Sequence, residues 1–124
     1  MTETNPKILI AEDDPSLAKA VSFALTEAGF IVEVAVNGKE ALKKVKNNSY
    51  DLILLDLIMP ERTGFEVLHE LQLLGITTPA IVYSNMFEEI SKEEALKLGA
   101  KDYFAKAKVS LDDIVEKVKK FTKS

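Results

Sequence analysis

Residues 52–56 read Leu-Ile-Leu-Leu-Asp, a continuous apolar run that ends on a carboxylate. Such a run is typical of a strand buried on both faces of a parallel sheet. Three further short apolar runs also end on polar residues: 8–11 before Glu12 and Asp13, 80–83 before Ser84, and 103–105 before Lys106. If these runs are parallel neighbours in one sheet, their polar groups converge at one edge, where sheets of this kind bind ligands.

Amphipathic segments separate these strands. Residues 17–28 carry apolar side chains at three- and four-residue intervals, which predicts a helix that Asp14-Pro15 begins and Gly29 ends. A second strand follows over 30–36, and Asn37-Gly38 is predicted to be a turn. Similar spacing predicts three more helices: one ending near Asn47-Asn48, one closed by Gly75, and one capped by Ser110. A further helix is predicted from the capping-box spacing that begins at Ser91, and it stops at Gly99.

Five strand-then-helix units predict an α/β fold, a doubly wound parallel sheet with helices on both faces. Parallel crossovers are almost always right-handed, so few topologies remain possible. The 124 residues fit one domain over 1–124, with a core from about 7 to 121.

Composition excludes several classes of function. A formal charge of −4 argues against direct nucleic-acid binding, which requires a basic surface. The chain has no cysteine, so it can form neither a disulfide nor a thiolate metal site. No apolar stretch approaches the roughly 18–20 residues of a membrane span, and the polar N-terminus does not read as a signal peptide. A cytoplasmic protein is therefore expected.

Taken together, these segments resemble the receiver domain of two-component response regulators. The resemblance runs from Lys7 to about Phe121, and its motifs are specific in combination. They are Glu12-Asp13 after the first strand, Leu55 to Pro60 after the third, Ser84 after the fourth, and Tyr103 to Lys106 on the fifth. The resemblance implies the flavodoxin-like strand order 2-1-3-4-5.

It also implies a chemistry. Asp56 would accept a phosphoryl group from the phosphohistidine of a sensor histidine kinase or phosphotransfer protein. Four groups would hold one Mg²⁺, partly through water: Glu12, Asp13, Asp56 and the backbone carbonyl of Ile58. Ser84 and Lys106 would contact the phosphoryl oxygens, and Tyr103 would change rotamer as part of the switch.

Elementary chemistry is consistent with these residue types. A carboxylate attacks an anionic phosphoryl donor poorly unless a hard cation neutralises both partners, and Mg²⁺ prefers carboxylate, carbonyl and water oxygens. Phosphoryl transfer then depends mainly on positioning and charge stabilisation. Mg²⁺ is also expected to raise the melting temperature, because it binds the folded state.

The sequence departs from the receiver pattern in a few places. Ala107 stands where most receivers carry a proline after a cis bond, so the sequence leaves open both the isomer of the bond after Lys106 and the reach of that lysine. Glu12 replaces the commoner aspartate and adds one methylene, and Asn85 is bulkier than the usual residue. The lone His69 is expected to be exposed to solvent.

Three functions remain open at this stage. The leading one is a stand-alone phosphoacceptor switch, monomeric or dimerising on phosphorylation. It would signal to a downstream protein through its fourth helix, fifth strand and fifth helix, with Phe87, Ile90, Tyr103 and the basic last helix as candidate contacts. A degenerate receiver would bind partners without phosphorylation. A small aspartyl-phosphate phosphatase is disfavoured, because Ile58 stands where that class needs a second aspartate.

Overall fold

The computed structural model describes residues 5–85 and 88–122, and its centre is a parallel sheet. The strands are β1 (Lys7–Ala11), β2 (Ile31–Ala35), β3 (Leu52–Leu55), β4 (Ala80–Ser84) and β5 (Asp102–Ala105). They lie in the order β2-β1-β3-β4-β5, so the predicted parallel pairing and strand order are confirmed.

Helices cover both faces of this sheet. They are α1 (Pro15–Glu27), α2 (Gly38–Asn47), α3 (Gly64–Leu73), α4 (Glu88–Lys97) and α5 (Leu111–Thr122), with a short 3-10 turn over Lys106–Lys108. Buried side chains of α1 and α5 share one core cluster, and those of α2, α3 and α4 share the other. None of the helices in the described ranges is long and apolar enough to cross a bilayer.

Strand side chains alternate strictly between the two core clusters. Ile8 and Ile10 of β1 belong to the cluster beneath α1 and α5, whereas Leu9 belongs to the opposite cluster. In β3, Leu52 and Leu54 repeat this division, and every residue of that strand is fully buried. The continuous apolar run is therefore explained by a central strand with two buried faces.

Helix starts follow the side chains that can satisfy free backbone N–H groups. The Asp14 carboxylate accepts hydrogen bonds from the N–H groups of Ser16 and Leu17, which confirms it as the cap of α1. Asn37, predicted within a turn, caps α2 by accepting from the Glu40 N–H at 2.7 Å. Ser110 is also confirmed as a cap, since its hydroxyl accepts from the Asp113 N–H at 3.1 Å.

The predicted start of α4 is wrong by nearly a turn. The Ser91-to-Glu94 spacing predicts a capping box, yet the helix begins at Glu88 and Ser91 lies inside it. The same Ser-to-Glu spacing also occurs within helices, so it does not by itself mark the first turn.

A charged cluster occupies the middle of β2, which is one edge of the sheet. The Glu33 carboxylate lies 3.0 Å from the Lys7 ammonium and 3.9 Å from that of Lys44. It also accepts a 2.7 Å hydrogen bond from the Tyr50 hydroxyl, and the Lys7 ammonium lies 5.1 Å from the centre of the Tyr50 ring. We refer to Glu33, Lys7, Lys44 and Tyr50 as the Glu33 cluster.

Candidate functional site

Strand register brings the first acidic residues together. Ala11 pairs with Leu55, and Leu55 pairs with Val82, so the next residues along β1, β3 and β4 reach the same level. The Asp56 N–H donates to the Ala11 carbonyl at 3.0 Å, which extends the sheet hydrogen bonding up to this point. The carboxyl edge of the central strands therefore carries the candidate site.

Three carboxylates meet at this edge, from Glu12, Asp13 and Asp56. One oxygen from each lies within 4.8 Å of the others, a spacing at which the three could hold one metal ion. Glu12 is 1% exposed and Asp56 is 3% exposed, whereas Asp13 is open to solvent. An all-oxygen donor set with one side facing water fits Mg²⁺, which binds through a few carboxylates and retains several waters.

Lys106 closes the site from the end of β5. Its ammonium donates to Glu12 Oε1 at 2.6 Å and to Asp56 Oδ2 at 2.8 Å. The sequence left open whether the Lys106–Ala107 bond is cis or trans. The described residues contain no cis peptide bond, so this bond is trans, and the lysine reaches both acids.

Burial and charge act in opposite directions on this ion pair. Burial raises the pKa of the Asp56 carboxyl above its ordinary value, and the hydrogen bond from Lys106 offsets this only in part. For Lys106, burial alone would lower the pKa, but the hydrogen bonds to Asp56 and Glu12 outweigh it and raise the pKa. The ammonium therefore stays charged between the two acids.

Tyr83 belongs to the same site, which the sequence pattern did not indicate. Its hydroxyl donates to Glu12 Oε1 at 2.8 Å, and its ring centre lies 4.9 Å from the Lys106 ammonium. The side chain is fully buried, and burial together with the Glu12 charge raises the pKa of the phenol, so it stays protonated as a donor. Side-chain alternation along the strands could have indicated this contact. Ile10 and Ile81 share one core cluster, so Glu12 and Tyr83, each two residues further along, lie on the same face of the sheet.

The loop after β3 is shaped by a glycine. A Cβ on Gly64 would lie 2.5 Å from the Asp56 carbonyl oxygen and 2.7 Å from the Leu57 Cα, so no larger residue fits without movement of the backbone. The Gly64 N–H donates to the Leu57 carbonyl at 2.9 Å, and Thr63 caps α3 through a capping box with Glu66. This packing holds the start of α3 directly behind Asp56.

Ile58 follows Asp56 in this loop. Its N–H donates to Asp56 Oδ1 at 3.3 Å, while its side chain is exposed. The role of its carbonyl as a metal ligand stays a prediction.

The two predicted switch residues lie farther along β4 and β5. Ser84 is fully buried at the end of β4 and pairs with Ala105. Tyr103 is 7% exposed and packs in the core cluster beneath α2, α3 and α4. In this conformation the ring lies in the core. Its predicted roles as a switch residue and as a partner contact stay predictions.

The remaining partner-surface predictions are only partly described. Phe87 lies outside the described residues, as does the side chain of Ile90. On the basic helix α5, Lys119 and Lys120 are exposed, whereas Lys117 is half-buried and its ammonium lies 2.6 Å from the Asp102 carboxylate. Solvent exposure of His69 on α3 is confirmed.

The sequence profile of the response regulator receiver domain matches residues 8–119 of this chain. The chain belongs to this family. This match confirms the resemblance that the motifs indicated. Receiver domains are signalling domains that act as phosphoacceptors.

Curated relatives agree with this assignment. The chain is 41% identical over 100 residues to the transcriptional regulatory protein CiaR of Streptococcus pneumoniae, covering 81% of this chain and 44% of that protein. It is 36% identical over 102 residues to the alkaline phosphatase synthesis transcriptional regulatory protein PhoP of Bacillus subtilis, covering 82% and 42%. The chain spans less than half the length of these relatives, so the expectation of a stand-alone regulator stays a prediction.

Solved structures confirm the flavodoxin-like receiver fold. The receiver domain of the Francisella response regulator 1452 is 37% identical, with a TM-score of 0.91 over 96% of this chain and 98% of that one. The response regulator TrrA of Thermotoga maritima is 32% identical, with a TM-score of 0.83 over 94% and 98%. The TrrA structure is a complex with Mg²⁺ and a beryllium fluoride group.

Proposed function

We propose that Asp56 accepts a phosphoryl group from a phosphohistidine on a sensor histidine kinase or phosphotransfer protein, in a transfer that requires Mg²⁺. The observation that carries this proposal is the position of the Asp56 carboxylate, which is buried beside two other acids and 2.8 Å from the Lys106 ammonium. We treat residues 1–124 as one receiver domain with a core over about 7–121, which the family match over 8–119 supports.

The proposed transfer is a nucleophilic displacement at phosphorus. An Asp56 carboxylate oxygen attacks the phosphorus atom, the bond from phosphorus to the histidine nitrogen breaks, and the nitrogen keeps the electron pair. Mg²⁺, when bound by Glu12, Asp13, Asp56 and the Ile58 carbonyl, supplies positive charge against the phosphoryl oxygens. Lys106 supplies a second positive charge beside the attacking carboxylate.

Phosphorylation changes the charge at this edge of the sheet. The new group adds nearly two negative charges and three acceptor oxygens, which attract Lys106 and the hydroxyl of Ser84. A shift of Ser84 at the end of β4 then alters the space available to Tyr103 on the neighbouring strand, since Val82 and Tyr103 pair in the sheet. This gives a two-state response to a local charge change, read by a downstream protein through α4, β5 and α5.

On this basis the chain is a signalling domain rather than an enzyme that acts on a separate substrate. We place it in the cytoplasm, and the absence of cysteine suits a reducing compartment. It acts as a monomer or as a dimer formed on phosphorylation, and it contacts neither nucleic acid nor membrane directly.

Phosphorylation by a small donor tests the proposal. The full chain is incubated with acetyl phosphate and MgCl₂ and weighed intact by mass spectrometry, with EDTA replacing MgCl₂ in a parallel sample. We expect one phosphoryl adduct in the wild type with Mg²⁺, and loss of the adduct with EDTA or in Asp56→Asn.

Asp51→Asn is the matched control, because Asp51 is exposed and precedes β3 at the other end of the strand. It should be phosphorylated like the wild type. No adduct in the wild type would favour the phosphorylation-independent receiver, and rapid consumption of the donor without an adduct would favour the phosphatase. Either result contradicts the proposal.

A further inference from the structure

The Glu12 carboxylate is held by three hydrogen-bond donors. Its Oε1 atom accepts from the Tyr83 hydroxyl at 2.8 Å and from the Lys106 ammonium at 2.6 Å. Its Oε2 atom accepts from the Asp14 N–H at 3.0 Å. Because Glu12 is almost fully buried, these donors replace the water that would otherwise stabilise its charge.

Of the two side-chain donors, only Tyr83 donates to Glu12 and not also to Asp56. Lys106 is shared with Asp56, and it carries a positive charge. A divalent cation beside Glu12 repels that ammonium, and a phosphoryl group on Asp56 attracts it away from Glu12. The neutral Tyr83 hydroxyl experiences no such charge repulsion, so it can keep its bond to Oε1 in each state of the site.

The length of glutamate makes such a bond consequential. Glu12 has one more rotatable bond than an aspartate at the same position, so its carboxylate is less constrained by the backbone. A hydrogen bond from the fully buried ring on β4, which is separated from β1 by β3, restores that constraint. The Tyr83 ring packs in the core cluster beneath α1 and α5, where the Phe104 ring centre is 6.2 Å away.

We propose that Tyr83 is a positioning residue for the metal site, acting through its hydroxyl on the carboxylate of Glu12. The inference rests on the proposed function, because it takes the acidic cluster as the Mg²⁺ site. Partners that orient metal-ligating carboxylates commonly change metal affinity by about 10–100-fold when they are removed.

The chain contains a matched control for this contact. In the Glu33 cluster, Tyr50 donates to a glutamate at 2.7 Å and lies under a lysine ammonium, 5.1 Å from the ring centre. The corresponding distances for Tyr83 are 2.8 Å and 4.9 Å. Tyr50→Phe therefore removes the same kind of hydrogen bond beside the outer strand β2, away from the acidic cluster.

Calorimetric titration of the full chain with MgCl₂ alone tests the proposal. Tyr83→Phe keeps the ring under Lys106 and removes only the hydroxyl, and we expect it to weaken Mg²⁺ binding by about tenfold or more. Tyr50→Phe should bind Mg²⁺ as the wild type does. Equal dissociation constants for Tyr83→Phe and the wild type would overturn the inference.

A second background separates positioning from a general loss of structure. In Glu12→Asp the shorter carboxylate is drawn back from the Tyr83 hydroxyl, so adding Tyr83→Phe should change Mg²⁺ affinity little. If Tyr83→Phe weakened Mg²⁺ binding equally in the wild type and in Glu12→Asp, Tyr83 would not act through Glu12.

Failure of the inference and failure of the proposed function give different results. A wild type that binds no Mg²⁺ removes the metal site itself, and the proposed function fails with it. A wild type that binds Mg²⁺ while Tyr83→Phe binds it equally well removes only the role of Tyr83.

Discussion

Lys106 supplies the positive charge between two buried carboxylates, Glu12 and Asp56. A buried charge is strongly unfavourable without a partner, and removing one member of a buried ionic group leaves the others uncompensated. The side chain of Lys106 is only 15% exposed, so water replaces its contacts poorly. The lysine therefore contributes to folding stability before any phosphoryl group arrives.

Lys106→Met should lower the free energy of unfolding in EDTA at neutral pH by about 3 kcal/mol, because both acids lose their cation. Urea unfolding followed by circular dichroism measures the change. Lys101→Met is the control, since Lys101 is exposed just before β5, and its stability should match the wild type. A Lys106→Met protein as stable as the wild type would contradict this view of the site.

Most residues of the site could be predicted from the sequence, because each polar residue follows a buried apolar run. Glu12, Asp56 and Lys106 meet as expected, since parallel strands end at the same edge. Tyr83 could not be predicted with the same ease. A tyrosine inside an apolar run is typical of the core, and the reach of its hydroxyl to a glutamate on another strand depends on register and ring orientation.

At the scale of elements, an ion pair joins β5 to α5. The Asp102 carboxylate accepts from the Lys117 ammonium at 2.6 Å and from the Tyr103 N–H at 2.8 Å. Burial alone would raise the pKa of Asp102, but the hydrogen bonds from Lys117 and the backbone outweigh it and lower the pKa. Both side chains remain partly exposed, so solvent screens their attraction.

Asp102→Asn should lower stability at pH 7 by about 0.5–1 kcal/mol. The contribution of a carboxylate with a lowered pKa in the folded state is present above the unfolded value, about 3.9, and is lost as the pH falls through the folded value. The difference between wild type and variant should therefore shrink below about pH 4. Urea unfolding at several pH values measures it, and a difference that grows on acidification would contradict the assignment.

Element types were easier to predict than element starts. Apolar runs and apolar periodicity correctly predicted the five strands and the helices α1, α2, α3 and α5, because burial dictates those patterns. The existence of α4 was predicted from a capping-box spacing and a terminal glycine instead. The start of α4 was predicted at Ser91, but the helix begins at Glu88. A capping-box sequence shows that two hydrogen bonds could form, and it does not show that the helix begins there. Asn37 was assigned to a turn for a related reason, as the same residue type favours turns and helix caps.

At the scale of the whole molecule, the candidate metal site couples distant parts of the chain. Glu12, Asp13 and Asp56 come from the ends of two strands whose pairing organises the centre of the sheet. An ion bound to the folded arrangement alone stabilises the entire molecule by mass action. The melting temperature of the whole molecule therefore reports on ion binding at the acidic cluster.

Addition of MgCl₂ should raise the melting temperature of the wild type, with about 2.7 kcal/mol of stabilisation when Mg²⁺ is at 100 times its dissociation constant. Asp13→Asn should reduce this increase, and because Asp13 is exposed the substitution should leave the fold intact. Differential scanning calorimetry with MgCl₂ or EDTA measures both. An unchanged melting temperature in the wild type would count against a metal site at this edge.

The Glu33 cluster also has a consequence for concentrated solutions of this protein. β2 ends the sheet, and an outer strand can recruit a strand from another copy and begin aggregation. A second β2 approaching in this way would remove water from its own Glu33 cluster and from the one already present, which is unfavourable for partly exposed charges. The charged centre of the outermost strand therefore opposes growth of the sheet from one molecule into the next.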